Sequence, residues 1–314
     1  MDIIGLTPPP NYAIIVVMTT PTHAGGLVVV VGTVNLDLCF AVDRLPLNNE
    51  TLTGAGFSQV GGGKGANTAA AAAASAATSV LIAAVGDDDA GAAALAELRG
   101  YGVDTSFVQV IPGIPTGRAG IVTAPTANTI VVAAGANAHL NPTHLRWALG
   151  QVVEPSGSGV CLISGELGDE LIEVAALAAA DAGLAVAINL SPARSLSSGV
   201  VRSRPLVIVN EVEASQLVGS DNPAAAARLL RDHFGSAVVT RGADGAIGAT
   251  EAEVFERSAL EVECVDTVGA GDAFAGALVA VLSATQELTA AVDAGIAAGA
   301  RAVRHRGART WITN

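Results

Sequence analysis

Aromatic side chains make up only 3% of the 314 residues, too few to advertise an aromatic clamp for a nucleobase. Positive charge is also short: Lys and Arg total 16 against 29 Asp and Glu, a formal net charge of −13. Nucleic acid or an anionic membrane would be repelled without a basic face, so a phosphorylated ligand must be met by local groups and metal. The three cysteines, Cys39, Cys161 and Cys264, are odd in number and lack metal-ligand spacing. They fit a reducing cytosol, and core packing rather than a disulfide scaffold. No apolar run approaches the roughly eighteen residues that cross a bilayer. Ala13 to Met18, preceded by Pro8 to Pro10, is too short for a secretory leader, which leaves a cytoplasmic protein as the expectation. Residues 1–26 read as a disordered or loosely attached extension, with Met18 a candidate start, and 27–314 as one domain.

What is present is apolar and small: 51% of residues are hydrophobic, ample for a buried core. From residue 27 onward, short β-branched runs alternate with Ala-rich stretches of helical spacing. Strands are expected at Leu27 to Val31, Val80 to Val85, Val160 to Ser164, Leu184 to Leu190, Leu206 to Val209 and Ala237 to Thr240. That rhythm implies an α/β fold, a doubly wound and mainly parallel sheet with helices on both faces and sites at the C-terminal strand ends. The rhythm breaks twice. Leu38 to Val42 with Glu50 to Val60, and then Phe107 to Val110, Gly120 to Thr123 and Thr129 to Ala133, predict a small antiparallel β lid over about 38–60 and 106–134. A lid suits chemistry from which water must be excluded.

Near the C-terminus, Asp266-Thr267-Val268-Gly269-Ala270-Gly271-Asp272 runs into a helix carrying Ala273, Phe274, Ala277 and Leu278. Gly269, Ala270 and Gly271 are expected to leave backbone N–H groups uncovered, and with the helix dipole they make a seat for anionic oxygens. Asp272 stands where the dipole should keep it ionised, able to accept a proton from an attacking hydroxyl. A plain helix cap is the alternative for this loop. Gly62-Gly63-Lys64-Gly65-Ala66-Asn67 precedes another Ala-rich helix. It is not a nucleotide P-loop, because Ser58 stands where the first Gly belongs and Gly65 where a Ser or Thr would hold magnesium. Asn35 and Asp37, two apart after the first strand, share a face or mark a turn. Asn210 and Glu213 share a face on a first helical turn, or form a capping box. Gly86-Asp87-Asp88-Asp89 reads as a capping turn rather than a metal site.

The Val265 to Gly276 stretch and the Gly-Gly-Lys-Gly-Ala-Asn element together resemble the signatures of the ribokinase-like carbohydrate kinases, and the resemblance covers residues 27 to about 309. It implies that Asp272 is the base and that Gly269, Ala270 and Gly271 form the anion hole. Gly62, Gly63, Lys64 and Asn67 would hold a sugar, with Asn35, Asp37 and Glu166. Asn210, Thr240, Gly242, Gly245 and Gly271 would face ATP, and Glu213 would organise Mg2+ through its waters. Asp266, Val268, Ala302 and Gly307 match a monovalent-cation loop, which implies K+, although Trp311 stands where that loop carries a Ser. Ile296 replaces a residue that is often polar near adenine. Lys64, Asn35-x-Asp37 and Gly135-Ala136-Asn137 favour a pentose. A homodimer through the exposed lid edge follows by the same reasoning. The rival readings are a nucleoside kinase, a non-catalytic sugar sensor and a glycosidase.

Overall fold

The computed structural model describes residues 25–125, 127–152 and 159–313. The expected extension falls, up to residue 24, outside the described residues, as does Met18.

The chain begins with β1 (Leu27–Val31), β2 (Asn35–Ala41) and β3 (Gly56–Gly62), then helix α1 (Lys64–Ala74). Strands β4 (Thr78–Ile82) and β5 (Ala84–Gly86) lead into α2 (Asp89–Gly100). Next come β6 (Gln109–Ile111), β7 (Gly117–Ala124), β8 (Ala127–Ala133) and α3 (Pro142–Gln151). Regular alternation resumes with β9 (Gly159–Ser164), α4 (Asp169–Asp181), β10 (Ala185–Asn189), α5 (Ser198–Arg202) and β11 (Leu206–Asn210). It continues with α6 (Glu211–Val218), α7 (Pro223–Phe234), β12 (Ser236–Thr240), β13 (Ala246–Ala249) and β14 (Val254–Arg257). Helices α8 (Ala270–Thr285) and α9 (Leu288–Ala302) close the described chain with a short 3-10 turn at Thr310–Thr313.

Eight strands form the main sheet in the order β14-β13-β12-β11-β10-β9-β1-β4. It is parallel except at the β13 and β14 edge. The period of two along β1 sorts its side chains between two cores. Val29 and Val31 pack with Leu145, Leu149, Ile172 and Leu230 of α3, α4 and α7. Val28 and Val30 pack with Ala66, Ala69, Leu278 and Val292 of α1, α8 and α9. Helices therefore cover both faces, as parallel strands require. The order reverses between β1 and β9, a switch point of the kind that opens a crevice at the strand C-termini.

The lid is a separate four-stranded sheet, β3-β2-β7-β8. Its β2–β3 and β7–β8 pairings are antiparallel as expected, but β2 and β7 run parallel. The segment predicted as a lid strand at Phe107 to Val110 instead gives β6, which pairs with β5. Alternation identifies a strand without naming its neighbour. The single strand expected over Val80 to Val85 is broken into β4 and β5. Asp88 caps α2, its carboxylate accepting from the Gly91 N–H at 2.9 Å. Of the cysteines, Cys161 is in the core, Cys39 is half-buried and Cys264 is exposed, so the packing expectation fails for Cys264. Among the described residues, no helix is long and apolar enough to cross a membrane.

Candidate active site

Asp272 is the third residue of α8, behind an N-cap at Gly269 whose φ of 76° suits a residue without a side chain. Small residues let α8 lie against α1: a Cβ on Gly276 would fall 2.6 Å from the Ala71 Cβ and 2.6 Å from the Thr68 carbonyl oxygen. That close crossing brings Asn67 to Asp272, with the Asn67 Nδ2 donating to Asp272 Oδ2 at 2.9 Å. Asn67 Oδ1 is buried with no partner, an acceptor left for a ligand hydroxyl. Asp272 is only 8% exposed. Burial pushes its carboxyl up to about 6, against the pull of the Asn67 hydrogen bond and the Lys64 charge. The expectation that the helix dipole sets this group is thus corrected: desolvation is the larger effect, leaving a base poised just below neutrality.

A cavity of about 200 Å3 opens before Asp272, lined by Lys64, Ser191, Asn210, Glu213, Thr240, Gly269 and Gly271 among others. The structure so brings together expected anion-hole, nucleotide and magnesium residues from the β11–α6 junction, the end of β12 and the start of α8. Ala270 departs from the expectation. Its N–H is not uncovered but closes a turn on the Thr267 carbonyl at 3.2 Å, and only Gly269 and Gly271 line the cavity. A Cβ added to Gly271 would meet nothing within 4 Å. Gly271→Ala should therefore melt like the wild type while crowding an anion in the cavity, lowering kcat/KM for the phosphoryl donor by about 10- to 100-fold. Steady-state kinetics beside a thermal melt checks both halves.

Asn210 and Glu213 form the capping box. The Asn210 Oδ1 accepts the Glu213 N–H at 2.8 Å, and Glu213 Oε2 accepts the Asn210 N–H at 3.0 Å. The box and the cavity position are compatible, because capping fixes the carboxylate at the rim. Gly242 and Gly245 do not line this cavity. They belong to a turn after β12, where a Cβ on Gly245 would fall 1.9 Å from the Arg257 carbonyl oxygen.

Thr33, Asn35, Asn137 and Glu166 line a second cavity, of about 660 Å3, that the lid residue Val132 also borders. Glu166 accepts from the Thr33 hydroxyl and from the Lys64 N–H at 3.3 Å. Asn137 pins the start of β2, donating to Asn35 Oδ1 at 2.9 Å and bonding both main-chain groups of Val34. Asp37 is held against Gly62, where a Cβ would stand 2.2 Å from both carboxylate oxygens. Burial raises Asp37 to about 6, with Arg309 opposing and Glu166 adding to the shift. Gly63, at φ 87°, caps α1, and a Cβ there would meet the Thr33 carbonyl oxygen at 2.6 Å.

Lys64 is turned differently from the sugar contact expected of it. Its ammonium donates to Ser191 Oγ at 2.6 Å and to the Ser191 carbonyl at 3.2 Å, on the cavity shared with Gly269 and Gly271. Ser191 was not singled out from sequence, although it follows β10 at a C-terminal strand edge, the place where such residues are sought.

Asp266 ties two loops together, its carboxylate accepting the Val268 N–H at 3.0 Å and the Gly307 N–H at 2.9 Å. The buried Ala302 accepts from His305 N–H at 3.0 Å at the same seam. Trp311 is buried there with its indole N–H on the Ala308 carbonyl at 3.1 Å, and brings no oxygen donor.

An open parallel sheet with its polar residues at the strand C-termini, under a small β lid, defines the ribokinase-like α/β architecture. A ribokinase structure from Thermotoga maritima superposes with a TM-score of 0.80 at 25% identity, over 91% of this chain and 95% of that one. The model of the pfkB family carbohydrate kinases matches residues 26–314, and the chain belongs to that family. It is 32% identical to the ribokinase of Haemophilus influenzae over 290 residues, 90% of this chain and 94% of the relative. It is 30% identical to a deoxyribokinase of Salmonella typhi over 291 residues, again 90% and 94%.

Proposed function

We propose that the chain transfers the γ-phosphoryl group of ATP to the 5-hydroxyl of D-ribose, giving ribose 5-phosphate and ADP. The observation that carries this is the buried Asp272 carboxylate on the cavity it shares with Lys64, Gly269 and Gly271, hydrogen-bonded to Asn67, whose Oδ1 is left for a ligand hydroxyl. Asp272 accepts the hydroxyl proton as the sugar oxygen bonds to phosphorus and the bond to the ADP oxygen breaks. Gly269 and Gly271 amides and the Lys64 ammonium hold the charge on the transferring group. Asn67 fixes the Asp272 carboxylate and offers Oδ1 to the sugar. Asn35, Asp37 and Glu166 supply further acceptors for hydroxyls, and Asn210 and Thr240 form the nucleotide side, with the Gly242 and Gly245 turn outside the cavity.

The donor set fits magnesium held chiefly by substrate phosphates: among the described residues no three acidic, histidine or cysteine side chains form a cage, and Glu213 offers one carboxylate at the rim. Mg2+ there would neutralise phosphate charge. The proposal extends to K+ at the seam of Asp266, Val268, Ala302 and Gly307. Equal turnover in potassium and in a bulky organic cation would contradict it. It also extends to a homodimer through the lid, whose Phe40, Phe57, Ile130 and Val131 are exposed.

Resemblance to both ribose and deoxyribose kinases makes the acceptor the finer question. ADP release measured with ribose, deoxyribose, fructose and nucleosides decides it. The expected result is the highest kcat/KM with ribose. A higher value with any other acceptor, or ADP release that ignores all of them, contradicts the assignment.

A further inference from the structure

Resting on that reading, we infer that Ser191 is a positioning residue for phosphoryl transfer, holding the Lys64 ammonium in the phosphate cavity. Lys64 opens α1, where its backbone N–H donates to Glu166 Oε2 at 3.3 Å, while its side chain crosses to the loop after β10. There the ammonium donates twice to one residue, to Ser191 Oγ at 2.6 Å and to the Ser191 carbonyl at 3.2 Å. An ammonium carries three donors, and the third has no partner among the described residues. Lys64 and Ser191 both line the cavity that Gly269, Gly271 and Asp272 border, so that donor and its charge are left for an anionic ligand there.

A lysine stem is flexible and its ammonium a strongly hydrated point charge, so a fixed partner decides where that charge sits. Every ion pair among the described residues uses an arginine, and no carboxylate neutralises Lys64 in contact. Its two partners are neutral oxygens instead. A hydroxyl and a carbonyl fix the cation's place without cancelling the charge that a transferring phosphoryl group needs. Ser191 is itself held. The Leu190 N–H before it donates to the Ile208 carbonyl at 2.9 Å. A Cβ on Gly165 would fall 2.8 Å from the Ser191 nitrogen and 3.1 Å from its carbonyl oxygen, so the β9–α4 junction backs the Ser191 main chain. That junction also carries Glu166, which lines the second cavity and takes the Lys64 N–H. Lys64 therefore starts beside the residues expected to meet the sugar, and Ser191 makes its charge end on the phosphate side.

The test uses the full chain and four variants: Ser191→Ala, Ser191→Thr, Lys64→Met and the double variant S191A/K64M. ATP is varied at saturating ribose, then ribose at saturating ATP, beside a thermal melt of each protein. Ser191→Ala is expected to lower kcat/KM for ATP about tenfold while KM for ribose stays within about twofold; Ser191→Thr, which keeps the hydroxyl, recovers to within about threefold of wild type. In the Lys64→Met background, removing the hydroxyl is expected to cost less than about twofold more. Calorimetric titration with ATP is expected to follow the same pattern, and it reads the cycle where turnover is too slow to measure. An unchanged kcat/KM for ATP in Ser191→Ala overturns the inference, as does an equal loss with and without Lys64. A parallel rise in both KM values with a lowered melting temperature also overturns it, since that is what a merely structural serine gives. If Ser191→Ala does not fold, the same cycle is read with Ser191→Cys, whose thiol is a weak acceptor. A wild type that releases no ADP with any sugar sinks the parent reading as well, whereas an active wild type with an indifferent Ser191→Ala sinks this inference alone.

Discussion

Asp272→Asn is expected to lower kcat by about a thousandfold, because it removes the group that takes the hydroxyl proton while leaving the cavity's shape intact. Asn67 Nδ2 can still donate to the amide oxygen of the new side chain, so the dissociation constant for sugar should move by no more than about threefold. Calorimetric titration beside a turnover assay separates the two. The same substitution carries a stability signature of opposite sign. A carboxyl raised from 3.8 to about 6 by burial is a charge the fold would rather not hold. The cost is present above the folded value and vanishes below the unfolded one, and at 1.36 kcal/mol per unit it reaches about 3 kcal/mol at neutral pH. The variant should therefore be more stable than wild type at pH 7 and show no advantage below about pH 4. Loss of activity joined to gain of stability is the mark of a site whose chemistry is carried against the preference of the core.

The second large effect is expected at a residue that touches no ligand. Gly276→Val places a side chain where the Ala71 Cβ, the Thr68 carbonyl and the Ala72 nitrogen lie within 2.9 Å, two of those atoms being backbone. Helices α1 and α8 must then part, at a cost of about 1–3 kcal/mol, seen as a lowered melting temperature. Their separation also pulls Asn67 from Asp272, so kcat should fall about tenfold or more even at temperatures where the variant is folded. A variant that melts low yet turns over at the wild-type rate when folded would show that the helix contact does not set the site.

This coupling explains which features were legible in the sequence. β1, the capping turn over Gly86 to Asp89 and the Asn210 and Glu213 pair rest on local patterning and cap chemistry, which the sequence shows, although only the structure picks Asp88 as the cap and the capping box as the pair's geometry. Asp272 was legible as an acid at a helix start, but its titration was not. Burial there comes from the close approach of α1 and α8, which a local reading of the loop does not show. The idle amide of Ala270 was expected for the same local reason and is instead consumed by Thr267, because a left-handed Gly269 turns the chain back on itself. Lid pairing was hidden because β2 and β7 meet in parallel across a long separation. Ser191 and Arg309 were hidden too, one as an ordinary loop serine and the other as one arginine in a basic tail. Only the meeting of β3, α2 and the C-terminal loop buries Arg309 against Glu97.

The most direct measurement is kcat at saturating ribose and ATP between pH 4.5 and 8, in wild type and in Asp37→Asn. The account predicts a fall in kcat as pH drops through about 6, retained when Asp37 is removed, because the proton-accepting carboxylate is Asp272. A kcat that stays flat to pH 5 in both proteins would contradict it.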